Sequence, residues 1–295
     1  MFKLKIKSGQ DEKETLESLL YEHISWGWEE DELSDQTCEL SIYFHQENAG
    51  FRFKELTLSV CPNIEILEEN VPVQDWNNAW KDFFTPIEVD QRFVVLPDWL
   101  QHEKQASVPI IITPKMAFGT GHHATTHLCL QAVSRLWDLG YLKSGQNFLD
   151  LGTGSGILGI ACARLGMSGL GLDIDPVAVE NALENTQINR VREMFQVREG
   201  DLSVLGPEQK FNLVLGNILS STLKQLAPNI IRHLDDTGVL ILSGILTEQA
   251  SGVEERYKAL GLGRPARLNM QEWSALIWAG GKNSREQLNL VDALL

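Results

Sequence analysis

The sequence has only four cysteines in 295 residues, at positions 38, 61, 129 and 162, and none are paired at metal-ligand spacing. That scarcity argues against a cysteine-held metal site and suits a reducing, cytoplasmic compartment. Cys129 and Cys162 sit in apolar helical patterns, where cysteine behaves as a small hydrophobe. No apolar stretch approaches the roughly 18 residues that span a bilayer. The opening MFKLKIKSGQ lacks the apolar core of a signal peptide. Basic residues are also few: 25 Lys and Arg stand against 40 Asp and Glu, a net charge of −15. That balance argues against generic attraction to nucleic-acid phosphate, and a basic protein partner fits better. There is no internal repeat and no low-complexity segment.

What is present is ordinary globular material, 43% apolar and 22% charged, in a length that suits two domains. The charge is uneven. Residues 1–70 carry sixteen Asp and Glu against six Lys and Arg, a balance of −10 out of −15. In that region FKLKIKS (2–8) alternates like a half-buried strand, DEKETLESLLYEHI (11–24) has leucines at helical spacing, and ELSIYFHQ (39–46) reads as a strand. LTLSV (56–60) and IEILEEN (64–70) are less clear. Together they suggest a small α+β domain. VPVQDWNNAWKDFFTPIEV (71–89) reads as a connector, with Trp76, Trp80 and Phe84 on one helical face for packing.

From residue 91 the pattern changes. FVVLP and VPIIITP are short apolar strands. NFLDLG, GLGLDID, MFQVREGD, FNLVLGN and TGVLILSGI then alternate with helical segments. Runs rich in Val, Ile and Leu are strands buried on both faces, so the expectation is a doubly wound α/β domain. ARLNMQEWSALIWAG (266–280) is expected to add edge strands.

The chemistry concentrates at strand ends. FLDLGTGSGILG (148–159) runs from a strand through Gly152, Gly154 and Gly156 into a helix, whose N-terminus offers unpaired N–H groups. Gly154, Gly156 and Gly159 also satisfy the dinucleotide pattern GxGxxG, which leaves a nicotinamide-dependent oxidoreductase as one alternative, beside a methyltransferase acting on another protein or a small molecule. Asp150 argues for a methyl donor, because a carboxylate there can order the loop and meet an ammonium group but is unwelcome to a pyrophosphate. Asp173 ends the next strand, where it can accept from both ribose hydroxyls of either cofactor class. Asp175 with Pro176 reads as a helix cap. Asp201 stands where an adenine amino group can be met, or where a loop is capped. Asn217, in GNILSS, ends the fourth strand at the edge where open α/β folds bind ligands, and its amide both donates and accepts.

MAFGTGHHATTHLCL (116–130) is Gly-rich and becomes helical from about Thr125. His123 and His127 are four apart, as two metal ligands on a helix would be, yet no carboxylate or cysteine completes a set. A lid over the cofactor is the preferred reading, and no metal is expected.

These motifs together resemble the PrmA family, methyltransferases of large-subunit ribosomal protein eleven. The likeness is tightest in QDWNNAWKDFFTPIEV, KMAFGTGHHATTHLCL, FLDLGTGSGILGIA, GLDIDP and GNIL. It implies a Rossmann-like seven-stranded methyltransferase domain behind a small ferredoxin-like one. The expected organisation is 1–70 for substrate recognition, 71–90 as linker and 91–295 for catalysis. The resemblance implies S-adenosylmethionine as cofactor, and the lysine side chains and N-terminal amine of that basic ribosomal protein as substrate. Its cofactor contacts fall on Thr126, chosen over Thr125, and on Gly152, Asp173 and Asn217, with Gly154 and Asp201 beside them. Asn217 is expected to align the amine, and His122 or His123 to relay a proton. The family usually reads NILA with a proline two residues on, whereas this chain has NILSST.

Overall fold

The structure is a computed structural model. It describes residues 2–9, 12, 15, 16, 19, 20, 23, 24, 28–34, 37–44, 47–62, 64–70, 86–100, 107–113 and 123–280. The chain divides into two compact units, Met1–Phe83 and Phe84–Leu295. The connector's aromatic stripe lies outside the described residues.

The first unit is a four-stranded antiparallel sheet in the order β2-β3-β1-β4, built from β1 (Phe2–Gly9), β2 (Glu29–Ser34), β3 (Thr37–Phe44) and β4 (Glu65–Asn70). Helical positions from Glu12 to His23 follow β1, and helix α1 (Glu47–Val60) precedes β4. The order βαββαβ is that of the ferredoxin-like fold. Period-2 alternation makes this sheet one-sided. Leu4 and Ile6 face a core with Leu16, Leu20, Leu40, Ile42 and Phe53. Lys3, Lys5 and Lys7 face outward, over the Tyr43 ring at 4.8 Å, to Glu69 at 3.1 Å and to Glu65 at 3.3 Å.

The second unit opens with a three-stranded sheet of β5 (Ile87–Val89), β6 (Phe93–Pro97) and β7 (Val108–Ile112), in which β6 and β7 run parallel. The β5–β6 turn is tied to helix α2 (Ala124–Asp138), whose Gln131 and Arg135 donate to the Asp90 carboxylate at 3.1 and 3.2 Å. Seven strands follow: β8 (Asn147–Leu151), β9 (Ser168–Asp173), β10 (Phe195–Glu199), β11 (Phe211–Asn217), β12 (Leu234–Leu246), β13 (Ala266–Met270) and β14 (Trp273–Trp278). Their order is β10-β9-β8-β11-β12-β14-β13, with the first five parallel and β14 antiparallel to both of its neighbours, so that it alone runs against the rest. Of the two C-terminal strands, only β13 is an edge. β14 lies inside, between β12 and β13, and is buried from Ser274 to Trp278.

Helices α2, α3 (Ile157–Arg164) and α4 (Pro176–Ile188) contribute to one core, and α5 (Ser220–His233) and α6 (Ala250–Ala259) to the other. Adjacent strand residues divide between the two cores: Phe148 belongs to the first and Leu149 to the second. The chain leaves β8 for β9 on one side, and β11 pairs with β8 on the other. That reversal opens a crevice at the carboxyl ends of β8 and β11, the usual ligand position in such sheets.

Candidate active site

The turn after β8 is held from inside. Asp150 is buried, and its Oδ2 accepts from the Thr153 hydroxyl at 2.6 Å and from the Gly159 N–H at 3.1 Å. Burial pushes its pKa up to about 6, against those two hydrogen bonds. Asp150 thus orders the loop from inside and is absent from the cavity lining. Gly152 has φ +68°, and a Cβ there would lie 2.3 Å from Ile218 Cγ2. Only glycine takes this conformation at so close an approach. Phe195 explains the tight seat of α3: a Cβ on Gly159 would meet its ring at 2.1 Å.

The turn opens onto a cavity of about 590 Å³, lined by Gly152, Gly154, Asp173, Asp201, Asn217 and His123 among others. Asp173, at the end of β9, accepts from Gly154 N–H at 2.9 Å through Oδ2 and from Asp175 N–H at 3.1 Å through Oδ1. Asp175 caps α4 through Val177 N–H at 2.9 Å. Asp201 lines the cavity and also caps a short 3-10 turn, accepting from Ser203 N–H at 2.8 Å. Its hydrogen bonds with Ser203 hold its carboxyl below the usual range.

Asn217 ends β11. Its Nδ2 donates to Thr126 Oγ1 at 3.3 Å, while its buried Oδ1 has no partner among the described residues. Thr126 itself is fully buried, and the neighbouring Thr125 is the threonine on the cavity wall. His123 is the N-cap of α2, with Nδ1 accepting from Thr125 N–H and lying 2.8 Å from Thr125 Oγ1. Its ring stands edge-on to Trp273, centroids 4.9 Å apart. His122 lies outside the described residues.

Gly244 and Trp273 are among the wall residues that escaped the sequence reading. Gly244 has φ +79°, and a Cβ there would lie 2.5 Å from the Ile218 carbonyl oxygen, so it admits the GNIL backbone. An isolated glycine in a strand pattern signals such an approach. Trp273 arrives from β14 through pairing distant in sequence, for which no local signal exists.

A doubly wound sheet with a glycine turn after its first strand, a carboxylate after its second and an asparagine after its fourth defines a Rossmann-like methyltransferase domain. The family model described as ribosomal protein L11 methyltransferase (PrmA) matches residues 4–280, and the chain belongs to that family. It is 40% identical over 256 residues to the ribosomal protein L11 methyltransferase of Syntrophotalea carbinolica, covering 82% of each chain. It is 39% identical over 229 residues to that of Chloroflexus aurantiacus, covering 69% of this chain and 68% of the relative. A crystal structure of ribosomal protein L11 methylase from Lactobacillus delbrueckii subsp. bulgaricus superimposes with a TM-score of 0.60 at 27% identity. That match covers 67% of this chain and all (100%) of the other. Family membership decides for a methyltransferase over the nicotinamide alternative. No helix among the described residues is long and apolar enough to cross a membrane.

Proposed function

We propose that this chain transfers methyl groups from S-adenosylmethionine to amines of ribosomal protein L11, at lysine side chains, the N-terminal amine, or both. The observation that carries this reading is Asn217 Oδ1, a buried acceptor without a partner among the described residues, on a residue that lines the cavity with Gly152, Gly154 and Asp173. The residues fit the cofactor. Asp173 keeps lone pairs for ribose hydroxyls beyond its two backbone partners. Ile174, 76% exposed, offers an apolar surface beside it. Asp173, Asp175 and Asp201 on one lining suit a donor without phosphate and repel a pyrophosphate. Thr126 is placed to hold the Asn217 amide rather than to meet the cofactor directly.

When bound, S-adenosylmethionine supplies an electrophilic methyl carbon on a sulfonium that leaves without taking a proton. The chain's own work is position. A lysine of pKa about 10.4 must be neutral to attack, at a cost of about 4–5 kcal/mol at pH 7. Leu151, Leu172 and Ile218 on the wall lower that cost by disfavouring the cation. Asn217 Oδ1 would accept from the N–H of an amine entering the cavity and so orient it. His122 and His123 are the relay candidates. In His123, Nδ1 is taken by the cap on α2. Residues 1–70, with their balance of −10, draw in the basic substrate, and 71–90 join them to the catalytic residues 91–295.

The test is methyl transfer from radiolabelled S-adenosylmethionine to purified ribosomal protein L11, with Asp173→Ala as control. Label on the wild-type reaction, falling by about 100-fold or more in the variant, supports cofactor and substrate together. Cofactor binding without label discards the substrate. Neither binding nor label overturns the reading.

A further inference from the structure

Asparagines recur at four-residue spacing on and just after α4, at 181, 185 and 189, and all three are buried. Such spacing puts them on one face, and buried amides are costly unless hydrogen-bonded. Two of them bond main chain across from the helix. Asn189 Oδ1 accepts from Ile111 N–H at 2.9 Å, and its Nδ2 donates to the Ile111 carbonyl at 2.6 Å. Asn185 Oδ1 accepts from Thr113 N–H at 3.0 Å. Four residues of helix rise about 6 Å and two residues of strand about 6.6 Å, so successive amides meet alternate residues of β7 and its continuation.

Asn185 differs from Asn189 in its second bond. Its Nδ2 donates to the Ser155 carbonyl at 2.8 Å, inside the glycine turn. Ser155 sits between Gly154, which lines the cavity and bonds Asp173, and Gly156, the N-cap of α3. Asn181 Oδ1 accepts from the same Nδ2 at 3.3 Å. With Thr113 N–H at one end and Asn181 Oδ1 at the other, the amide faces one way. Ala182, on the same helix face, lies 3.2 Å from where a Gly156 Cβ would stand.

We propose that Asn185 is a positioning residue for the cofactor site: it ties the Ser155 carbonyl to the end of β7 and thereby sets the path of the glycine turn past Gly154. The proposal rests on the reading of the cavity as an S-adenosylmethionine site. Asn189 holds the same strand without touching the turn, and Asn181 orients the Asn185 amide.

Three variants of the full chain separate these roles. The measurements are calorimetric affinity for S-adenosylhomocysteine, hydrogen exchange of the 154–159 amides without ligand, and melting temperature. Asn185→Ala is expected to weaken affinity and speed turn exchange, each about tenfold. Asn181→Ala moves both in the same direction by less. Asn189→Ala lowers the melting temperature comparably but leaves affinity and turn exchange within about twofold of wild type. Equal affinity losses in Asn185→Ala and Asn189→Ala, or unchanged turn exchange in Asn185→Ala, overturn the proposal. Should Asn185→Ala fail to fold, Asn181→Ala decides: faster turn exchange supports the proposal and wild-type exchange overturns it. Should the wild type bind no S-adenosylhomocysteine, the cofactor reading falls, and turn exchange still decides whether Asn185 positions the turn.

Discussion

The two large sheets solve opposite problems. In the first unit, β1 turns Leu4 and Ile6 into a core and Lys3, Lys5 and Lys7 outward among Tyr43, Glu69 and Glu65. In the second, β8 gives Phe148 to one core and Leu149 to another. A sheet with one bare face can present a surface. A sheet covered on both faces has only its strand ends, where backbone groups run out of partners and side chains such as Asp173 and Asn217 gather. The first unit is therefore suited to broad electrostatic contact, and the second to a small concave site.

The most severe way to break this comparison is at the strand end itself. Gly152→Ala puts a methyl group at φ +68° and 2.3 Å from Ile218 Cγ2. Methyl transfer is expected to fall about 100-fold or more, since a displacement of about 1 Å near reacting groups costs that much. Steady-state kinetics with a melting curve check it, and near-normal turnover would show that the turn does not set the site.

Asp150→Asn sharpens the comparison from the buried side. Burial raises the Asp150 pKa from 3.8 to about 6. An acid raised on folding holds its proton more tightly when folded. Its contribution to stability is full below pH 3.8 and is lost as pH rises through about 6. The wild type should lose on the order of 3 kcal/mol across that window relative to Asp150→Asn, which stays neutral. Urea midpoints between about pH 4 and 7 measure the difference. Parallel profiles for the two proteins would show that Asp150 is not the group responsible.

The smallest effect belongs to the first unit. Raising ionic strength from about 0.05 to 0.5 M should raise KM for the basic substrate severalfold and leave kcat unchanged, because salt screens exposed charge but not a dry cavity. A salt-insensitive KM would remove the electrostatic role of residues 1–70.

Much of this was legible in local pattern. Apolar runs ending in Asp150, Asp173 and Asn217 marked a doubly covered sheet and the edge where the cavity opens. Alternation in FKLKIKS marked the one-sided sheet. The failures were non-local. LTLSV was unclear, yet it closes α1, because Phe53 and Thr57 pack inward and Gly50 lets the helix lie on Phe2, where a Cβ would come within 2.2 Å of the ring. Residues 266–280 promised edge strands, and pairing with β12 put one of them inside. Asp150 sat in a binding motif but points into the protein, a direction set by Thr153 and Gly159. Trp273 reaches the cavity from β14, more than a hundred residues from the glycine turn.

The asparagine row has a consequence away from catalysis. β7 is an outer strand of its three-stranded sheet, and Ile111 and Thr113 turn their N–H groups away from β6. Pro109, two residues earlier on the same row, has no N–H to offer. The other two donors are already claimed by Asn189 and Asn185. A strand from another molecule approaching this flank would find no ladder to join, so the side chains of a helix guard the protein against self-association where most sheets rely on charge or a bulge.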